Sequence, residues 1–239
     1  MAKKKNNRTQ NIISDTTPFA VIEAYKSART SILFANVVEG CNVIAFTSAE
    51  PGEGKTVTCI NMAISLAESG KKVLLIDSDM RKPQVAPSLQ LQRSPGLSEI
   101  LAGVSDMDTT PDGGFVQKSS YENLDVIAAG AIPPNPAELI ACSRAEKLFD
   151  MLKPMYDYIL IDTPPCLVVT DALLYKKYAM GYICVVRANT SRIDTTSKLV
   201  ERLKQIDARI LGFMLNDRSH KSKNYKRYNS YEKYSRAQK

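Results

Sequence analysis

Short apolar runs alternate with amphipathic segments along most of this chain. Between residues 18 and 37, apolar side chains recur at helical spacing, which predicts a first helix. Each later apolar run is short enough for a buried strand. The predicted strands are NVIAFTS, KKVLLIDSD, LDVIAAG, YDYILID, GYICVVRA and RILGFMLN. The predicted helices between them are VTCINMAISLAESG, NPAELIACSRAEKLFDMLK, DALLYKKYA and DTTSKLVERLKQID.

This alternation predicts an α/β domain whose mostly parallel sheet carries helices on both faces. Ligands of such sheets bind beyond the carboxyl ends of the strands. Residues 80–122 are rich in proline, glycine and serine and hold one short helical piece, so they are expected to form a long surface excursion. The domain is predicted to span 19–216, between a flexible basic N-terminus at 1–18 and a disordered tail at 217–239.

Composition narrows the class of protein. A chain of 239 residues with 44% hydrophobic content suits one large α/β domain. No apolar run approaches the roughly 20 residues of a membrane-spanning helix, and no signal peptide is expected. Five scattered cysteines without a CxxC pair indicate a reducing compartment. The single histidine, His220, argues against a histidine-based catalytic or zinc site.

Charge is concentrated at the two ends of the chain. The net charge is +7, of which residues 1–9 carry +4 and residues 217–239 carry +6, which leaves −3 for the body. Basic ends are typical of nucleic-acid binding, acidic-lipid binding or solubility. The C-terminal segment also holds four tyrosines, one at every third residue, in a stretch with no other strong hydrophobe. These tyrosines are Tyr225, Tyr228, Tyr231 and Tyr234.

The sequence AEPGEGKT at 49–56 has the form of a phosphate-binding loop, with alanine in place of the first glycine of G-x-x-x-x-G-K-[ST]. A predicted strand precedes it and a predicted helix follows. Glycines let the backbone turn its N–H groups towards one centre, and the helix N-terminus faces the same point. Lys55 is expected to contact the β- and γ-phosphates, and the Thr56 hydroxyl to bind Mg²⁺. The predicted nucleotide-binding residues of this loop are Pro51, Gly52, Glu53, Gly54, Lys55, Thr56 and Val57.

Three aspartates stand at the ends of predicted buried strands. Asp77 and Asp79 follow VLLI, and Asp162 follows YILI. Taken singly, each could equally be a helix cap or a solvated loop residue. A buried carboxylate is costly unless it is paired or near a cation, and three of them beside a phosphate loop favour Mg²⁺ binding. One carboxylate is also needed as a base if the acceptor is a tyrosine hydroxyl, whose pKa is about 10.

Five motif segments and the tyrosine cluster of the tail together resemble a known family, the bacterial tyrosine kinases of capsule and exopolysaccharide synthesis that are separate from their membrane subunit. SAEPGEGKT, VLLIDSDMRKP and ILIDTPP resemble the Walker A, Walker A′ and Walker B motifs of that family. GAIPPNPAELI resembles its loop-to-helix segment, and the tail tyrosines resemble its autophosphorylation cluster. EAYKSARTSI is similar to its helical motif for subunit contact. The resemblance runs from about residue 20 to the tail.

The resemblance implies a P-loop NTPase-type kinase domain that uses ATP and Mg²⁺. It implies that Lys55 and Thr56 hold phosphates and metal, that Asp77 is the general base, and that Asp79 and Asp162 assist the metal. The resemblance thus assigns catalytic roles to four residues, which are Lys55, Asp77, Asp79 and Asp162. Asn216, at the end of GFMLN, resembles the asparagine that reads adenine in related ATPases.

The resemblance also implies partners. It implies a homo-oligomeric ring in which the tail tyrosines accept phosphate from a neighbouring subunit, a membrane adaptor of the polysaccharide chain-length type, and a cognate tyrosine phosphatase. It implies a cytoplasmic protein recruited to the inner face of the membrane, and no nucleic acid. The residues expected to contact the neighbouring subunit are Glu23, Tyr25, Lys26 and Arg29.

Two alternatives remain open at this point. Cell-division and plasmid-partition ATPases share the fold, but they carry a lysine at the second position of the phosphate loop, where this chain has Glu50. A non-enzymatic module whose tail binds nucleic acid or lipid is the other alternative, because basic and aromatic residues together suit single strands. The intact Lys55, Thr56, Asp77 and Asp162 argue against a catalytically inactive module.

Overall fold

The computed structural model describes residues 11–35, 40–104 and 114–217, and the predictions about the tail tyrosines lie outside these residues. The strands are β1 Asn42–Ser48, β2 Val73–Asp77, β3 Val116–Lys118, β4 Leu124–Ile127, β5 Tyr158–Asp162, β6 Gly181–Arg187 and β7 Ile210–Asn216. The α-helices are α1 Phe19–Ala35, α2 Lys55–Ala67, α3 Val85–Leu89, α4 Leu97–Ala102, α5 Pro136–Ala141, α6 Ser143–Leu152, α7 Asp171–Leu174 and α8 Ile193–Gln205. Two 3₁₀ turns follow α6 and α7 at Lys153–Met155 and Tyr175–Lys177.

The strands form one seven-stranded sheet in the order β3-β4-β2-β5-β1-β6-β7. Every neighbouring pair is parallel except β3 and β4, which are antiparallel. Parallel neighbours need crossover connections, and helices supply them. The sequence-based prediction of a mostly parallel α/β sheet is therefore confirmed, with one antiparallel strand at the edge.

Two hydrophobic cores lie on opposite faces of the sheet. Along β1, Ile44 and Phe46 join α1, α2 and α3 in one core, whereas Val43 and Ala45 join α4 to α8 in the other. Successive side chains of a strand point to opposite faces, so a strand covered on both sides must be apolar throughout. This explains the continuous apolar runs of the sequence and confirms the helices on both faces.

The structure corrects three details of the predicted elements. Residues 80–122 are not a surface excursion, because the part described contains α3, α4 and β3, and Ile100 and Phe115 are buried in the core. The long helix predicted from NPAELIACSRAEKLFDMLK is divided at Cys142, which has extended backbone (φ −74°, ψ 160°). The helix predicted from DALLYKKYA is a single α-turn followed by a 3₁₀ turn. Such short elements are below the length at which helical periodicity is readable.

The N-terminal end of the domain extends upstream of α1. Ile12 and Ile13 are buried against α2, although both belong to the segment that the sequence assigned to a flexible terminus. The Asn61 side chain on α2 accepts a hydrogen bond from the Ile13 N–H and donates one to the Asn11 carbonyl, both at 2.9 Å. The predicted boundary at residue 19 thus marks the start of a helix rather than the edge of the packed core. Within the described residues, no helix is long and apolar enough to cross a membrane.

Candidate active site

The predicted site residues come together at the carboxyl edge of the sheet. β1 leads into the phosphate loop, and the helix after the loop begins at Lys55. Asp77 ends β2 and is in register with Asp162, which ends the adjacent β5. Because parallel strands end at the same edge, residues far apart in sequence meet there. Asn216 reaches the same edge as the last residue of β7.

Two glycines shape the phosphate loop. Gly52 and Gly54 have φ of 86° and 90°, in the left-handed region that favours glycine. A Cβ atom on Gly54 would lie 1.8 Å from Nδ2 of Asn216, whereas one on Gly52 would meet nothing within 4 Å. Asn216 in turn donates a 3.1 Å hydrogen bond to the Glu53 carbonyl. The structure therefore places Asn216 directly against the loop, and its predicted contact with adenine stays a prediction.

Lys55 lies between the loop and the acidic strand ends. Its Nζ is 3.1 Å from Oδ2 of Asp79, 3.7 Å from Oδ1 of Asp162 and 3.4 Å from Oγ1 of Thr56. Burial by itself would lower the pKa of Lys55, but the charges of Asp162 and Asp79 outweigh burial and raise the pKa. Lys55 is therefore a fixed positive charge at neutral pH, positioned where the loop would present a phosphate group.

Thr56 and Asp162, the residues predicted to bind Mg²⁺, are in direct contact at the start of α2. The Thr56 hydroxyl donates a 2.7 Å hydrogen bond to Oδ2 of Asp162, a residue with no exposed surface. Oδ1 of Asp162 has no hydrogen-bond partner within the described residues. Burial raises the pKa of Asp162, and Lys55 and Thr56 oppose that effect. The Lys55 ammonium, 3.7 Å away, is the cation that compensates this oxygen in the structure. The hydroxyl of Thr56 and the carboxylate of Asp162 are oxygen ligands of the type that Mg²⁺ binds, so these residues fit that ion.

The protein would supply only part of the coordination of such an ion. In the part of the chain that the structure describes, no group of three or more His, Cys, Asp or Glu residues is arranged to hold a metal. Mg²⁺ typically takes one or two carboxylates together with phosphate oxygens and waters. Thr56, Asp162 and the nearby Asp79 are sufficient for that pattern.

Asp77 is fully buried and hydrogen-bonded on both oxygens. Oδ2 accepts the N–H groups of Gln84 and Val85 at 3.0 and 2.9 Å, and Oδ1 accepts the Asp79 N–H at 3.2 Å. Burial and the charge of Asp162 raise the pKa of Asp77 to about 8, against the opposing effect of the Val85 N–H. Asp77 thus binds the start of α3, the capping role that the sequence left open, and its role as a base stays a prediction.

The residues predicted to contact a neighbouring subunit lie on α1. Arg29 donates a 2.6 Å hydrogen bond from Nη1 to the Ser65 carbonyl on α2, and Tyr25 packs against the same helix. Burial raises the pKa of Tyr25. Glu23 and Lys26 form a 2.8 Å ion pair on a more exposed side of the helix. Tyr25 and Arg29 therefore contact their own chain, and the role of all four residues in a ring stays a prediction.

Sequence reasoning missed two residues that contact the phosphate loop. Arg187, the last residue of β6, donates from Nη1 to the Gly52 carbonyl at 3.2 Å. Ser191, in the turn between β6 and α8, donates from its hydroxyl to the Glu53 carboxylate. The end of an apolar strand was the available signal for Arg187, as it was for the aspartates. Ser191 carried no signal, because only the order of strands brings its turn to the loop.

Comparisons with known proteins agree with this geometry. The AAA domain family matches residues 41–215. Tyrosine-protein kinase YwqD of Bacillus subtilis (strain 168) is 37% identical over 218 residues, covering 90% of both chains. The chimerical protein CapA2B2 is 34% identical with a TM-score of 0.78, covering 88% of this chain and 90% of that one. The kinase domain of the Escherichia coli tyrosine kinase ETK is 30% identical with a TM-score of 0.77, covering 93% and 90%.

The matched region contains the whole sheet except for the last residue of β7, and it includes the phosphate loop, Asp77 and Asp162. The P-loop fold and the identification as a tyrosine kinase are thereby confirmed, and the partition-ATPase and binding-module alternatives are not supported. The chain belongs to the bacterial tyrosine-protein kinases.

Proposed function

We propose that this kinase transfers the terminal phosphoryl group of Mg²⁺-ATP to tyrosine hydroxyls, including those of its own C-terminal segment. One observation carries the proposal. Beside the phosphate loop, Lys55 lies within 4 Å of Thr56, Asp79 and Asp162, and Thr56 is hydrogen-bonded to Asp162. Phosphoryl transfer depends mainly on positioning and on neutralisation of charge. This edge of the sheet offers both.

Each residue has a defined task in the proposed transfer. The backbone N–H groups of the loop and the N-terminus of α2 bind phosphate oxygens. Lys55 neutralises charge on them and exchanges its carboxylate contacts for phosphate contacts when the nucleotide binds. Mg²⁺, held by Thr56, Asp162 and Asp79 when bound, supplies further neutralisation of the phosphate charge.

The chemical step is a displacement at phosphorus. The tyrosine oxygen forms the new bond to the γ-phosphorus, the bond from that phosphorus to the bridging oxygen breaks, and ADP leaves with the bonding electron pair. The tyrosine proton passes to a carboxylate base, for which Asp77 is the candidate.

The acceptors are proposed to be the tail tyrosines Tyr225, Tyr228, Tyr231 and Tyr234. Tyr225 is nine positions after Asn216 in the sequence, so the first acceptor lies at most roughly 30 Å from the end of β7. That reach permits transfer within one subunit or to a neighbour. Transfer in trans, within a homo-oligomeric ring, is the form that the family resemblance implies.

The proposed cellular role is control of capsule or exopolysaccharide synthesis. The resemblance of the sequence motifs to the kinases of capsule and exopolysaccharide synthesis suggests this role, and the similarity to tyrosine-protein kinase YwqD supports membership of the kinase family. A membrane adaptor of the chain-length type would activate the kinase and hold it at the inner face of the membrane, and a tyrosine phosphatase would reverse the modification. No nucleic acid is required.

The test is incubation of the purified protein with ATP and Mg²⁺, with and without the cytoplasmic end of an adaptor, followed by phosphotyrosine detection. We expect labelling of the wild type, none in Lys55→Met, and loss of most of the signal when the four tail tyrosines are replaced by phenylalanine. ATP consumption without any labelled tyrosine would refute the proposal and favour an ATPase switch. An unchanged phosphotyrosine signal in the phenylalanine variant would show that the acceptors are other tyrosines.

A further inference from the structure

Glu53 is an unusual residue for a loop that binds a polyanion. It is only 2% exposed, although it lies at the edge of the sheet. Its Oε2 accepts the Glu50 N–H at 2.9 Å, and its Oε1 accepts the Ser191 hydroxyl. A buried negative charge beside bound phosphates opposes nucleotide binding. The carboxylate must therefore contribute something that outweighs this repulsion.

Ser191 connects Glu53 to the end of β6. The Ser191 oxygen accepts a 2.7 Å hydrogen bond from the Arg187 N–H while its hydroxyl proton is donated to Glu53. The Arg187 side chain donates to the Gly52 carbonyl at 3.2 Å. The end of β6 and the turn after it thus contact two successive residues of the phosphate loop. Arg187 binds the carbonyl of Gly52, and Ser191 binds the carboxylate of Glu53.

These contacts set the direction of the loop's peptide groups. A phosphate-binding loop must point N–H groups inward, which requires that its carbonyl groups have partners elsewhere. The Gly52 carbonyl is bound by Arg187 and the Glu53 carbonyl by Asn216. The Glu53 side chain adds a link across the loop itself, because it binds the N–H group three residues earlier. Together these bonds occupy the carbonyl groups of Gly52 and Glu53 and the N–H group of Glu50.

We propose that Glu53 is a positioning residue for nucleotide binding, and that it acts through Ser191 and Glu50 by hydrogen bonding rather than by its charge. The inference deepens the proposed function and rests on it. Substitutions at Glu53 can distinguish an effect of its hydrogen bonds from an effect of its charge. Glutamine keeps the length and an acceptor for the Glu50 N–H, and its amide can donate to Ser191, whose oxygen has a second lone pair. Alanine keeps neither bond.

The experiment measures the dissociation constant of Mg²⁺-ATP by calorimetry and KM and kcat from phosphotyrosine formation, together with Tm. For Glu53→Ala we expect KM and the dissociation constant to rise about tenfold while kcat changes less than about threefold. Glu53→Gln should remain within about threefold of the wild type. Ser191→Ala should raise KM and the dissociation constant in the same direction as Glu53→Ala but by a smaller factor. Ser191→Thr keeps the hydroxyl and should bind nucleotide as the wild type does. Thr190→Ala is the matched control, because that hydroxyl residue is exposed in the same turn.

Several results would overturn the inference. One is Glu53→Gln binding nucleotide as weakly as Glu53→Ala, which would make the charge the active feature. Another is an alanine variant with unchanged affinity. A third is a Glu53→Ala variant in which Tm and kcat both decrease while KM is unchanged, which would indicate a purely structural role. A wild-type protein that binds ATP but labels no tyrosine would refute the proposed function, and the calorimetric comparison of variants would still decide the role of Glu53.

Discussion

Replacement of Gly54 by alanine tests the closest packing contact in the site. The new Cβ would lie 1.8 Å from Nδ2 of Asn216, a separation that no relaxed contact tolerates, and the backbone φ of 90° disfavours any side chain. The left-handed conformation costs about 1–2 kcal/mol. Displacing Asn216 also breaks its 3.1 Å bond to the Glu53 carbonyl, which costs about 1 kcal/mol.

The two costs together are about 2–3 kcal/mol, which corresponds to about a 30- to 150-fold loss of nucleotide affinity if the loop relaxes in the free protein. Calorimetric titration with Mg²⁺-ATP measures this loss, and guanidinium unfolding shows how much of the cost appears as stability. Gly52→Ala is the matched control. It has a similar φ of 86° but nothing within 4 Å of the new Cβ, so it should lose only the conformational part.

A double-mutant cycle isolates the steric part of the effect. In an Asn216→Ala background the amide that clashes is absent, so Gly54→Ala should cost no more than Gly52→Ala. Two results would refute the reasoning: equal effects of the two alanine variants in the wild-type background, or a Gly54→Ala penalty that persists unchanged without Asn216.

Three further predictions concern other contacts. Thr56→Val keeps the shape of the side chain but removes the hydroxyl that donates to Asp162, so the rate of phosphotyrosine formation should fall about 10- to 100-fold. The assay measures initial rates over a range of Mg²⁺ concentrations, and rates equal to those of the wild type would contradict this prediction. Asn61→Ala removes two hydrogen bonds to the segment around Ile13 and should lower the free energy of unfolding by about 2 kcal/mol; urea unfolding that shows less than about 0.5 kcal/mol would disprove it. In α4, Glu99 accepts hydrogen bonds from the Ser94 hydroxyl and from the N–H groups of Gly96 and Ala131. Burial opposes ionisation of Glu99, but these hydrogen bonds outweigh burial and lower its pKa. The stabilisation is therefore complete above the ordinary pKa of 4.5 and is lost as pH falls through the pKa of the folded protein. The stability difference from Glu99→Gln should therefore shrink in acid, and a difference independent of pH would argue against this origin.

The candidate site was predictable to the extent that each residue follows a recognisable local pattern. Lys55 and Thr56 follow glycines in a spaced motif, and Asp77 and Asp162 each end an apolar run. The pattern could not show which oxygen contacts which group. Asp77 accepts hydrogen bonds from the start of α3, whereas Oδ1 of Asp162 has no hydrogen-bond partner within the described residues, although both aspartates end a similar apolar run.

The prediction of elements failed where elements are short. Phe115 lies in a segment whose prolines and glycines resemble a surface loop, yet the side chain is buried. Ile12 and Ile13 stand in a polar terminus and are buried against α2. A single turn of helix or a pair of apolar residues gives no period to detect, and its burial depends on which surface of the sheet remains uncovered.

By itself the sequence determined the alternation of buried strands and helices, the phosphate loop and the acidic strand ends, because periodicity, glycine conformations and the desolvation of carboxylates act over a few residues. Only the tertiary structure decided that Ser191 and Asn216 hold the loop and that Asn61 anchors the N-terminal segment. Those contacts depend on the strand order, which places β6 beside β1 and β7 beside β6, and on the free energy of the whole packed sheet rather than of any single segment.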